Sequence, residues 1–135
     1  MPMVKTGGQI ELDVFGLLKD ELEGIVSGGV YLQGTRPFDS REEDAVVSFL
    51  TGTEGDVQAG ALNVNVYVPD IDMGGEKRVK DIRRCVEVEG LLVGLIHKPK
   101  SEYRFSLGQT ISTFAETDIG QHFVNVRLRY KRFAL

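Results

Sequence analysis

Asp70 and Asp72 stand one residue apart, Gly75 follows, and Asp81 nearly closes the stretch VPDIDMGGEKRVKDI, residues 68–82. Carboxylates spaced in this way around a glycine turn are the chemistry of an oxygen-donor calcium loop. Such a loop asks for ligands at its first, third and fifth positions, glycine at the sixth and a bidentate acid at the twelfth. Counting from Asp70, Asp72 takes the third place, Gly75 the sixth and Asp81 the twelfth. Gly74, however, falls at the fifth and brings no ligand, Arg78 falls at the ninth, and the twelfth is the shorter aspartate. Lys77, Arg78 and Lys80 would also compete with a bound cation. The segment is therefore expected to be the corner between a strand and a helix. Pro69 ends the strand, and Asp72 or Glu76 sits at the helix start, where negative charge complements the dipole. No metal or cofactor is expected, and a small-ligand or metal-binding module on the 70–81 loop stands as the alternative.

Other reactive side chains are few. Cys85 is the single cysteine, which excludes an internal disulfide framework and a cysteine-rich zinc site. It lies beside Arg83 and Arg84, where a reactive thiolate is conceivable, but a half-buried structural thiol is the expectation. His97 falls at a helix end, where a cation suits the dipole. His122 opens a strand with no nucleophile or base pattern beside it. Gly-Gly pairs occur at 7–8, 28–29 and 74–75, none with the lysine and hydroxyl of a phosphate loop. No Ser/His/Asp or paired-carboxylate arrangement follows from the spacing, so the chain is not expected to be an enzyme.

The most distinctive charged feature is the row Arg127, Arg129 and Lys131, with Arg132 beside it. Three cations on one strand face repel unless something neutralises them. They serve either as protective charges on a solvated or edge strand or as a subunit interface meeting Asp39, Glu42 and Glu43 of a neighbour. Nucleic acid is a third option. The net charge of −4 argues against specific nucleic-acid binding.

The elements that carry these residues follow from periodicity. A chain of 135 residues with 41% hydrophobic and 27% charged residues suits one globular domain. Residues 1–9 are small and polar and expected to be loose. Leu12, Phe15, Leu18, Leu22 and Ile25 recur at helical spacing, and Ser27-Gly28-Gly29 ends that helix. VYLQGTRP, AVVSFLTG and ALNVNVYV read as strands, with TGTEGDVQAG the turn between the last two. In the third, Leu62, Val64, Val66 and Val68 alternate with Asn63, Asn65 and Tyr67. A second helix is expected over 76–97, with Val79, Ile82, Val86, Val93 and Ile96 on its apolar stripe and KPKS stopping it. Residues 103–115 read as one strand. The last strand buries Val124, Val126, Leu128 and Tyr130 and exposes Asn125, Arg127, Arg129 and Lys131. The expectation is a single α+β domain over 1–135 in the order α-β-β-β-α-β-β. Its antiparallel sheet has four to five strands, paired as hairpins, and both helices lie on one face. No basic-then-apolar leader and no membrane-length apolar run is visible, so synthesis in the cytoplasm is expected.

At LNVNVYVPDID followed by a charged amphipathic helix, the sequence resembles the small tail-completion and neck proteins of tailed bacteriophages. LKDELEGIVSGGVYLQGTRP and the C-terminal hairpin extend the likeness over about residues 11–135. In organisation it is most similar to the tail-terminator group. The resemblance implies a non-catalytic structural protein of a phage or prophage. It would be a homo-oligomer, usually a hexameric ring, that terminates the tail tube and joins it to the head connector. Its partners would be other tail and connector proteins. It would be made in the host cytoplasm and carried in the virion tail or neck. One departure is the short connection at TGTEGDVQAG, where such proteins often carry a long hairpin arm.

Overall fold

The computed structural model describes residues 4–97 and 100–133. Helix α1, Gly7–Glu23, starts earlier than its apolar spacing suggests because Thr6 caps it. The Thr6 hydroxyl accepts from the Gln9 backbone N–H and the Gln9 side chain accepts from the Thr6 N–H, a reciprocal capping box that satisfies two otherwise orphan donors. Residues 7–9 are thus helical rather than loose, and Lys5 is held through its backbone N–H to Gln58. Residues 1–3 lie outside the described residues. The buried face of α1 is Ile10, Val14, Leu18 and Leu22, four residues apart, while Leu12, expected inside, is 57% exposed.

Eight strands follow or flank the second helix: β1 Val30–Leu32, β2 Ala45–Thr53, β3 Val57–Pro69, β4 Ile71–Asp72, β5 Arg78–Val79, β6 Tyr103–Leu107, β7 Ser112–Glu116 and β8 Gln121–Phe133. The main sheet runs β1-β2-β3-β8-β6, with β7 also on β8. The fold is α+β, as expected, with more strands than the sequence suggests. Three differences have local causes. β1 pairs parallel to β2, so residues 30–53 are a crossover and not a hairpin. The stretch 103–115 is two strands, which pair with successive halves of the thirteen-residue β8. The expected turn at 51–60 shrinks to residues 54–56, because β2 and β3 continue to pair as far as Thr53 and Ala59.

The stretch 70–81 also differs. β4 and β5 form a two-residue hairpin, and helix α2, Ile82–Leu92, begins six residues later than expected, capped by Asp81. A 3₁₀ turn, Val93–Ile96, ends it; Lys98 and Pro99, the expected stop, lie outside the described residues. The buried side of α2 is Cys85, Val88 and Leu92, whereas Ile82 and Val86 point outward.

Both helices cover one face of the sheet. Val47, Val64 and Val126 lie side by side across three strands, as do Ala45, Val66 and Val124, and together with the helical residues they form one buried core. Burying such side chains stabilises the fold by roughly 1.5–3 kcal/mol each. Because side chains alternate along a strand, the residues between them must line the opposite, helix-free face.

Candidate functional site

Strand register orders that outer face into cross-strand rows. Asp44 and Tyr67 begin it, with Phe123 and Phe114 beside Tyr67. Val46, Asn65, Asn125 and Ser112 follow, then Ser48, Asn63 and Arg127, then Thr51, Ala61, Arg129 and Ser106. Thr53, Ala59, Lys131 and Arg104 finish it. The face therefore grades from aromatic, through amide, to cationic.

The aromatic end is fixed by a buried carboxylate. Asp44 accepts from the Gly29 N–H at 2.8 Å, the Arg36 Nε at 2.9 Å and the Ser40 hydroxyl at 2.6 Å. Burial raises its pKa, but the Ser40, Gly29 and Arg36 donors outweigh burial, and the carboxyl lies below its ordinary value. Arg36 also stacks 4.1 Å over the Tyr67 ring and donates to Gln121, whose amide donates to the Ser40 carbonyl. The loop 37–43 is thereby tied to the Gln121 end of β8. In the middle, the Asn125 amide donates to Asn65 at 2.7 Å and to Asn63 at 3.3 Å, and Arg127 Nε reaches Asn63 at 3.5 Å.

At the other end Arg127, Arg129 and Lys131 have no acidic partner among the described residues, although all three stand on one strand. Arg104, across from Lys131, adds a fourth cation; its guanidinium donates to the Ser101 and Tyr103 carbonyls and lies 5.9 Å from the Phe133 ring. Arg129 and Lys131 are exposed and Arg127 half-buried. Between them lies a groove of about 730 Å³, floored by Ala59, Gly60 and Ala61 and walled by Arg104, Arg129 and Lys131. No acid lines it. The floor is flat for a reason visible on the reverse side. A β-carbon on Gly52 would stand 2.2 Å from the Tyr130 hydroxyl and one on Gly60 2.0 Å from the Thr51 carbonyl, so glycine is required where these strands and Tyr130 press together.

The acids considered as counterparts divide. Asp39 and Glu42 are exposed on the loop at the aromatic end. Glu43 is turned inward, where Arg84 donates to both its oxygens at 2.6 and 2.9 Å and to the Ile25 carbonyl at 2.6 Å. Glu43 hydrogen bonding raises the Arg84 pKa above its already high value. Arg132, one residue past Lys131, points to the core face and pairs with Glu102 and, at 2.8 Å, with Gln58. The sequence hid Arg104, Thr51, Thr53, Ala59 and Ala61 as parts of this surface. Their signal was positional: each occupies an outward place on a strand next to β8.

The 70–81 carboxylates do not converge. Asp70 pairs with His122 Nδ1 at 2.7 Å, Asp72 accepts from the Gly74 N–H at 2.9 Å, and Asp81 accepts from the Arg84 N–H at 3.1 Å. Cys85 is buried, and burial pushes its thiol up from its ordinary value, with Lys80 pulling weakly the other way. Among the described residues no helix is long and apolar enough to cross a membrane.

No protein-family model and no curated protein matches the sequence. Among solved structures, one chain superposes with a TM-score of 0.50 over 96% of this chain and 97% of that one, at 19% identity. The likeness is one of fold.

Proposed function

We propose that this protein is a non-catalytic structural subunit that acts by head-to-tail self-association, as in the ring that terminates a phage or prophage tail tube and joins it to the head connector. The observation that supports it is the separation of charge along the outer face. Unpaired cations stand at one end, and the loop bearing Asp39 and Glu42 is tied to the other. From Gln121 to Arg129 is eight residues of strand, roughly 26 Å at about 3.3 Å per residue. Two complementary but different patches, too far apart to meet within a subunit, suit a heterologous contact, which repeats until it closes into a ring. The resemblance of LNVNVYVPDID and its flanking segments to tail-completion proteins points to the same kind of assembly. On this proposal the partners are further copies of the chain and neighbouring tail and connector proteins, met in the host cytoplasm and then in the virion.

Light scattering on the wild type across a salt series tests it. Exposed charge pairs weaken as the screening length falls to about 3 Å at 1 M salt. The expected result is an oligomer at low salt that shifts toward monomer at high salt. A protein that is monomeric at every salt and at high concentration removes the proposal.

A further inference from the structure

The loop that bears Asp39 and Glu42 also carries Phe38, which at 92% is the most exposed large hydrophobic side chain among the described residues. Scattered exposed apolar residues are ordinary, but the setting of this one is not. The Ser40 N–H donates to the Pro37 carbonyl at 3.0 Å, closing a turn with Phe38 and Asp39 at its corner. Ser40 is fixed in turn by its hydroxyl to buried Asp44 and by its carbonyl to Gln121. Phe38 is therefore displayed on a rigid support, and a preorganised aromatic loses little freedom when it binds.

We propose that Phe38 of one copy seats in the groove floored by Ala59, Gly60 and Ala61 of the next, while Asp39 and Glu42 beside it meet Arg104, Arg129 and Lys131. This deepens the proposed self-association and rests on it. The groove has the opposite of each property of the loop: it is concave where the loop is convex, and cationic where the loop carries two exposed acids against the single cation Arg41. Its floor of glycine and alanine lets a ring lie flat on backbone, and guanidinium and ammonium groups at its walls favour an aromatic face. This chain already uses that contact internally, with Arg36 on Tyr67. A buried aromatic at the centre of an interface, rimmed by charges, is the usual form of a binding hot spot.

Phe38→Ala, compared with wild type by sedimentation velocity, tests the knob, and cross-linking tests its socket. The expected result is an unchanged melting temperature, association weakened by roughly tenfold or more, and a disulfide between separately tagged Asp39→Cys and Ala59→Cys proteins, both retaining Phe38, mixed under oxidising conditions. If wild type never associates, the self-association reading itself fails, and this inference with it. If wild type and Phe38→Ala associate equally, the knob alone is overturned. If Phe38→Ala weakens association but no cross-link to position 59 forms, Phe38 belongs to the contact and the groove does not.

Discussion

Arg129 and Arg132 lie three residues apart on β8 and have opposite circumstances. Arg132 is 5% exposed and held by Glu102 and Gln58 at the end of the core, where Lys5, Asp13 and the Tyr103 hydroxyl extend the network. Arg129 is exposed, borders a floor of small residues and has no acidic partner among the described residues. The same contrast separates Glu43, bound to Arg84, from Glu42, which is exposed. Where a charge serves the fold, this chain supplies its partner within the subunit. Where the described residues supply no oppositely charged partner, at Arg127, Arg129, Lys131, Asp39 and Glu42, the charge is available to something outside.

The largest effect should come from putting a charge where the fold cannot answer it. Val126 is fully buried between Val64 and the helices. Val126→Asp should abolish cooperative unfolding, since an unpaired buried charge costs several kcal/mol against a total of roughly 5–15; a sharp melt at the wild-type midpoint would break the inward half of the comparison. Arg132→Ala comes next. It leaves the largely buried Glu102 carboxylate with only Lys5 at 3.7 Å among the described residues and should cost about 3 kcal/mol by denaturant melting, while Arg129→Ala should stay within about 0.5 kcal/mol. Equal losses would erase the distinction.

How much of this was visible in the sequence depended on the kind of signal. The period-two alternation of β3 and β8 assigned both faces correctly, including the outward Arg127, Arg129 and Lys131, because a strand's register leaves no third direction, but Asn125, expected to be exposed, is buried among the amides of Asn63, Asn65 and Gln109. Helical phase was harder to read. In α2 Ile82, Val86 and Leu91 are apolar yet exposed, so the segment has apolar residues on more than one side and spacing alone chose the wrong stripe. The start of α1 was hidden by Gly7 and Gly8, poor helix formers that Thr6 and Gln9 nevertheless cap. The separation of Glu43 from Glu42, and the joining of Arg104 to Lys131, depend on long-range pairing with Arg84 and on strand register, which no local pattern encodes.

Acid should report on the internal side of the contrast. Asp44 titrates below its ordinary value when folded, so its contribution to stability is present above the unfolded pKa and is lost as pH falls through the folded one. Wild type should lose stability below about pH 4 through this group, and Asp44→Asn should be less stable at neutral pH with a flatter acid limb. Parallel limbs in the two proteins would mean that Asp44 does not drive the loss. The smallest effect belongs to calcium. Asp70, Asp72 and Asp81 each have an internal partner, so millimolar calcium should leave the melting temperature where it was. Saturating a specific site a hundredfold above its Kd would instead add about 2.7 kcal/mol.

The claim that the two ends of the outer face meet between subunits is tested most directly by charge exchange, read as mass by light scattering at low salt. Arg127→Glu with Arg129→Glu should shift the protein toward monomer while changing the melting of the subunit by no more than about 1 kcal/mol, and Asp39→Lys with Glu42→Lys should do the same. The protein carrying all four substitutions together with Arg104→Glu and Lys131→Glu presents the same two patches with their signs exchanged, and it should assemble again. Assembly of either reversed pair at wild-type strength, or a sixfold variant that remains monomeric beside an assembling wild type, would contradict the account.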